Sequence, residues 1–387
     1  MNITNNTPYQ AEFNPGMMPD GRTCLIVVIK ATYDLPDANL SKQDGSELTL
    51  SEKQIELYES DAFTGDPGES SPLAENDYAT FKPKCDVILQ QATAYAPEGK
   101  PATSLTVSLQ CASINKSFLV LGPRRWEKKT LGLLSQPSEP QAFLEQALSW
   151  EIAYGGIDHN AYPDQEEEDD RKESYAANPI GIGYWRQPDN TQIEHTPIAQ
   201  TEIIGQAINK PKERHQPQGF GPVARSWPPR SQYGGTYDDH WEQNTKPFLP
   251  DDFDSLYYQC APADQQMPYP KGGEEVTLTN LNPEGLLQFT LPVLDVSITT
   301  KLRNRSEQIL EPVIDTITIN TSNNTLTLVA RAHHPLKNTI HEVSEFVVDI
   351  AASASKTEDI PSPQSEKTNE QADVHYYDAT QQNGERT

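Results

Sequence analysis

Residues 23–33, TCLIVVIKATY, form a continuous β-branched apolar run that ends in period-2 alternation and predicts a buried strand. Strands are predicted again at 85–95 (CDVILQQATAY), 103–111 (TSLTVSLQC) and 114–121 (NKSFLVLG). The last two, split only by Ala112 and Ser113, read as a hairpin, although these residues are weak for a two-residue turn. Further along, 275–281, 286–291, 293–299, 313–320 and 325–333 alternate or nearly so, and 343–350 adds an edge strand. Asn323-Asn324 marks a tight turn, because Asn tolerates positive φ. Helical spacing is limited to 137–149, where Phe143, Leu144 and Leu148 form a narrow stripe and predict one short helix. The expected fold is mainly β: antiparallel sandwich- or barrel-like sheets with long irregular Gly/Pro/aromatic loops and a minor helix. Four regions follow: an N-terminal β-rich part (1–160), an acidic insert and loop block (161–272), a C-terminal antiparallel β part (273–351) and a disordered tail (352–387).

Between the two sets of strands the pattern changes. GFGPVARSWPPR (219–230), GGTYDDHW (234–241), LPDDFD (249–254) and YYQCAPADQQ (257–266) crowd Gly, Pro, aromatic, Arg and Asp residues together. Pro lacks an N–H and Gly loosens the backbone, so neither long helices nor central strands fit here. Yet Trp227, Tyr237, Trp241, Phe253, Tyr257 and Tyr258 each carry a large apolar area to bury. Irregular backbone held by aromatics and charge pairs is a built surface, and such surfaces bind.

Composition narrows the function classes. The chain has 387 residues, 35% of them hydrophobic, and a formal net charge of −26. That charge disfavours nucleic acid and anionic membrane surfaces and favours solubility or a basic protein partner. Cys24, Cys85, Cys111 and Cys260 form no C-x-x-C pair, so zinc and dithiol chemistry have no support, and the first three lie in or beside apolar runs as small hydrophobes. The N-terminus, MNITNNTPYQ, has no signal-peptide pattern, and no run approaches the ~20 apolar residues of a membrane span, which predicts a cytoplasmic protein. The run DQEEEDDRKE (164–173) reads as a solvated loop without calcium-loop spacing.

Candidate chemistry is sparse. Asp238, Asp239, His240, Asp251, Asp252 and Asp254 could divide acid and base roles, as in a carboxylate-dependent hydrolase. The same DDHW and DDFD strings are what turns look like, with Asp side chains bonding nearby N–H groups. Arg225 and Arg230 flank Trp227 and would pair with these carboxylates in a structural network. G-x-S-x-G, H-E-x-x-H, P-loop and dinucleotide fingerprints are missing from the sequence. His333 and His334 are adjacent in a strand and face opposite ways, so they cannot easily share a metal. No cofactor and no metal site is expected. A glycan- or peptide-binding module, with aromatics stacking on a ligand, is the other reading.

Taken in order, the motifs resemble the type VI secretion adaptor family, domain-of-unknown-function family twenty-one sixty-nine. The resemblance rests on NNTPYQAE (5–12), LIVVIKATYDL (25–35), DAFTGDPGESSPLAENDYATFKPKCDV (61–87), AYAPEGKPAT (94–103) and RRW (124–126). It continues through WEIAYGGID (150–158), NPIGIGYW (178–185), the central block, GGEEVTLTNLNPEG (272–285), LPVLDVSI (291–298) and IDTITIN (314–320). Pro123, Ala330 and the acidic insert depart from that pattern. The resemblance implies a non-enzymatic cytoplasmic adaptor or chaperone that loads an effector toxin with a PAAR-like tip domain onto the VgrG spike. The expected partners are thus the effector or PAAR-like tip protein and VgrG, with neither nucleic acid nor membrane. Arg225, Trp227, Arg230, Tyr237, Asp238 and Trp241 are the candidate interface; the competing reading is that they hold the fold together. A structural part of the secreted complex remains a further alternative.

Overall fold

The run at 23–33 folds as the strand Thr23–Asp34 in the interior of the largest sheet. The computed structural model describes residues 1–18, 20–36, 48–128, 135–158, 174–186, 193–337 and 339–351. The acidic run at 164–173 and the tail from residue 352 lie outside the described residues. Thr23–Asp34 pairs antiparallel with Gln10–Met17 on one side and Thr325–Pro335 on the other. Val313–Asn320, Cys85–Leu89 and Gln266–Met267 complete the sheet in that order, and Thr49–Leu50 pairs beside the main path.

The apolar run is continuous because both of its faces are covered. On one face Leu25, Val27 and Ile29 pack against Ile298, Phe346 and Val348. These come from a four-stranded sheet, Asn2–Asn5, Val343–Ile350, Val296–Leu302 and Glu307–Leu310. Farther along the same face, Ala31 and Tyr33 join Val87, Leu89, Ile317, Ile319 and Leu328 against a second, five-stranded sheet. That sheet contributes Val107, Leu109, Phe118, Val120, Leu278 and Phe289. At about 1.5–3 kcal/mol per fully buried large apolar side chain, this two-part sandwich is the main source of stability. The opposite face starts with Cys24, Ile26 and Val28 and continues into the polar pair Lys30 and Thr32, all buried.

The fold is mainly β, and no barrel closes among the described residues. Antiparallel pairing dominates, while Cys85–Leu89 with Val313–Asn320, Asn2–Asn5 with Val343–Ile350, and Tyr154–Gly155 with Ile182–Gly183 are parallel. The expected hairpin is present: Cys111 pairs with Ile114, and Ala112 takes φ 49° to close the turn. Asn324, at φ 54°, closes the turn before Thr325. The segment 85–95 breaks at Gln91, φ 52°, into Cys85–Leu89 and Thr93–Tyr95. The strand expected at 293–299 runs instead over Val296–Leu302.

Two expectations are corrected. The helix at 137–149 does not form. Ser135–Pro137 pairs with Arg124–Lys128, Glu145–Ala147 pairs with Thr93–Tyr95, and Phe143 bridges to Ala102. Pro137 and Pro140 deny the segment helical N–H donors, and Leu144 is exposed while Phe143 and Leu148 are buried, so the three share no face. Val343–Ile350 is not an edge strand, because Asn2–Asn5 pairs along its free side. Helix among the described residues is limited to short pieces, including Pro228–Ser231 and Asp239–Asn244, both in the central block.

Candidate functional site

The polar side of the large sheet is where the central block is mounted. Lys30 Nζ donates to Asp77 Oδ2 at 2.8 Å and to the Glu56 carbonyl at 3.0 Å. Arg331, fully buried, pairs with Asp315 and donates to the Asp77 carbonyl. Lys82 Nζ donates to Asp86 Oδ2 at 2.8 Å and Thr316 Oγ1 at 3.0 Å, with Cys260 Sγ at 3.4 Å. Burying so many ions is costly unless each is paired and its remaining hydrogen-bonding capacity is used. Here each of the three cations has a carboxylate, Asp77 for Lys30, Asp315 for Arg331 and Asp86 for Lys82, around a cavity of about 40 Å³, enough for a few waters.

Glu75 links this layer to the block. Its Oε1 accepts from Arg225 Nε at 2.8 Å and Arg230 Nη2 at 2.6 Å, and its Oε2 lies 3.7 Å from Lys82 Nζ. Burial pushes the Glu75 carboxyl up, but Arg230, Lys82 and Arg225 outweigh it and hold the group down at about 2. Arg230 also donates through Nη1 to the Val223 carbonyl and through Nε and Nη2 to the Tyr257 carbonyl, so one guanidinium fixes three stretches of chain. Arg225 additionally reaches Asp61 at 3.2 Å. Trp227 is 3% exposed and meets Trp150 edge-on, centroids 6.0 Å apart. The Trp150 indole N–H donates to the Pro222 carbonyl at 2.7 Å.

The end of the block is fastened in the same way. Gln259 Nε2 donates to Asp86 Oδ1 at 2.7 Å, and the Cys260 N–H donates to Asp86 Oδ2 at 2.8 Å. Gln265 Nε2 bridges the Val87 and Phe220 carbonyls at 2.7 and 2.9 Å, while its Oε1 accepts from Lys116 Nζ at 2.8 Å. The four cysteines are all buried and unpaired with one another. Upstream, the YGG and NPIGIG motifs meet where Tyr154–Gly155 pairs with Ile182–Gly183. Gly156 sits at φ +94°, and a Cβ there would fall 2.2 Å from the Gly181 carbonyl oxygen. Only glycine fits both demands.

Between these fastenings the chain loops outward. Gly235, at φ +79°, turns it away from the sheet, and Asp252 accepts from the Thr236 N–H and hydroxyl at 2.8 and 2.7 Å. Asp238 caps Asp239–Asn244 by accepting from the Trp241 N–H at 2.9 Å, and Asp254 caps the next turn through the Leu256 N–H. Tyr237 and Phe248 are 57% and 51% exposed. Tyr237 and Trp241 lie edge to face, 4.7 Å apart, and the half-buried Trp241 donates its indole N–H to the Phe248 carbonyl. Phe248, His240, Thr245, Pro250 and Phe253 line an open groove of about 720 Å³ that reaches Arg22.

The six sequence candidates therefore separate into two sets. Trp227 and Arg230 are in the interior and Arg225 is half-buried beside them; Tyr237, Asp238 and Trp241 belong to the outer loop. The two arginines pair with Glu75 and Asp61 rather than with the Asp residues of their own block, of which Asp238 and Asp254 serve as caps and Asp252 as a turn acceptor. His333 and His334 do face opposite ways: the first bonds the Thr80 carbonyl, the second meets Phe346 edge-on. Sequence reasoning missed Glu75, Lys82, Asp86, Gln259 and Gln265. For Asp86 the available signal was a charge inside an apolar run, CDVIL, as for Lys30 in LIVVIKATY and Arg331 in TLVARAH, since such residues are buried only when paired.

Among the described residues, no group of three or more His, Cys, Asp or Glu is placed to hold a metal, and no helix is long and apolar enough to cross a membrane. No curated protein and no solved structure matches the chain. Residues 20–331, which span most of the large sheet, the mount and the outer loop, match the family described as uncharacterized protein conserved in bacteria (DUF2169), and the chain belongs to that family.

Proposed function

We propose that the chain is a cytoplasmic adaptor that holds a type VI secretion effector by its PAAR-like tip region and promotes its loading onto the VgrG spike. The observation that carries this reading is the exposed aromatic loop at 236–254. It is an irregular segment whose two ends are clamped to the sheet by Glu75–Arg230 and Asp86–Gln259, while Tyr237 and Phe248 are left facing solvent. A loop of this kind is preorganised: little ordering cost remains when a partner binds. Exposed aromatics on a fixed frame are the usual anchors of protein interfaces. The resemblance of the motif order to type VI adaptors suggests the class of cargo. A hydrolase would need carboxylates converging on one cleft, whereas Asp238, Asp252 and Asp254 each accept from a backbone N–H. The test is affinity co-purification with the products of neighbouring genes. The adaptor reading expects a toxin, PAAR-like or VgrG protein to be retained in gentle salt, and it fails if none is.

A further inference from the structure

The outer loop specifies the chemistry of what it holds, and this inference rests on the binding role just proposed. Residues 236–254 carry six carboxylates, Asp238, Asp239, Glu242, Asp251, Asp252 and Asp254, against one lysine, Lys246. All six carboxylate residues are exposed. Within this acidic rim stand the rings of Tyr237, Trp241 and Phe248. The chain itself shows what the Trp241 ring accepts. Lys246 Nζ lies 5.9 Å from the centre of the Trp241 ring and 3.3 Å from Glu242 Oε1, an ammonium shared between an indole and a carboxylate. Its side chain is 54% exposed, so the contact is open to exchange.

We propose that this loop docks a Lys- or Arg-bearing segment of a partner protein, with cationic side chains seated on Trp241 and Tyr237 and paired with the surrounding carboxylates. The rings attract cations through their quadrupoles, and the carboxylates complete the site. Charge complementarity selects this occupant. A formal charge of −26 repels acidic partners at long range and steers basic ones inward. The rings contribute position as well as attraction, so binding should depend on them and not on charge alone. Lys246 competes for the same seat and sets a threshold that a partner must exceed.

The test uses the full chain and a fluorescein-labelled hexa-arginine peptide, followed by fluorescence anisotropy at low salt. Tyr237→Ala combined with Trp241→Ala should weaken the peptide roughly tenfold, given two cation–π contacts of about 0.5–1 kcal/mol each. Tyr237→Ala alone, a change at an exposed side chain, should weaken it severalfold with an unchanged melting temperature. Lys246→Ala should tighten binding more than Lys271→Ala, which removes the same charge elsewhere. Glu307→Gln, on the four-stranded sheet, should leave affinity unchanged. Peptide binding indifferent to the aromatic variants, or weakened equally by Glu307→Gln, overturns the inference and reduces the effect to general acidity. If a secretion protein still co-purifies in that case, the adaptor reading survives the loss of the cationic seat. If the seat behaves as expected and no secretion protein co-purifies, the adaptor reading falls and the seat stands.

Discussion

Glu75→Gln tests the mount directly, because it keeps the shape of the side chain and removes the charge that joins Arg225, Arg230 and Lys82. In the folded chain the Glu75 carboxyl is lowered from 4.5 to about 2, the neighbouring cations outweighing burial. The difference, about 2.5 units at ~1.36 kcal/mol each, is worth about 3 kcal/mol at neutral pH. That is the low end of the roughly 3–5 kcal/mol expected for breaking a buried pair. For the unit Met1–Ala351, an unfolding entropy of about 2.1 cal/mol/K per residue amounts to roughly 0.7 kcal/mol/K, so the variant should melt about 4 °C lower. The sign with pH is equally definite. A carboxyl depressed on folding contributes its full stability above its unfolded value and loses it as pH falls through the folded one. The deficit of the variant should therefore be complete above about pH 5.5 and shrink to about 1.4 kcal/mol at pH 3, where the carboxyl is almost wholly protonated in the unfolded chain and still mostly ionised in the folded one. Thermal melting by circular dichroism across that range measures both. A variant that melts within ~1 °C of wild type at neutral pH, or a deficit that does not change with pH, would refute the assignment of Glu75 as the charged hub.

Two further substitutions separate the mount from what it displays. Trp227→Ala should cost about 3–5 kcal/mol, because it empties a buried indole site against Trp150, whereas Tyr237→Ala should change stability by no more than ~0.5 kcal/mol; urea titration of both variants measures the contrast. Gly156→Ala should destabilise by about 2 kcal/mol or more, since it combines φ +94° with a Cβ driven onto the Gly181 carbonyl; the midpoint of the same titration reads it, and a wild-type midpoint would contradict the packing described for the YGG and NPIGIG motifs.

What was legible in the chain divides by the range of the interactions. Strands declared themselves wherever one run carried the whole signal, as in Thr23–Asp34 and the hairpin closed by Ala112, since side-chain alternation and turn geometry are local. The Asp caps were readable for the same reason: Asp238 and Asp254 act on N–H groups three and two residues away. The helix at 137–149 failed because a three-residue apolar stripe was set against two prolines and a set of strand partners elsewhere in the sequence. Arg230 was readable as an ion-pair former but not as a partner of Glu75, which lies 155 residues earlier. Nothing in GFGPVARSWPPR says which carboxylate will be brought beside it; the central sheet decides that by placing 75–86 under the block.

The same dependence settles which aromatics face where. Trp227 and Tyr237 look alike in sequence, each with Pro or Gly and a charged residue within two positions. They differ because Trp227 precedes Arg230, whose guanidinium is pulled into the sheet by Glu75, and Tyr237 follows Gly235, whose left-handed φ turns the chain outward. The motif-dense block is thus two devices in one stretch. Arg225, Trp227, Arg230, Gln259 and Gln265 point inward and fix the loop, so their substitution should lower stability first and binding only as a consequence. Tyr237 and Phe248 point outward on that fixed frame, with the half-buried Trp241 packed on Tyr237, so substitution of the two exposed rings should lower binding at constant stability. A variant of the outer set that unfolds the chain, or of the inner set that abolishes binding without lowering the melting temperature, would show that mount and display are not separable.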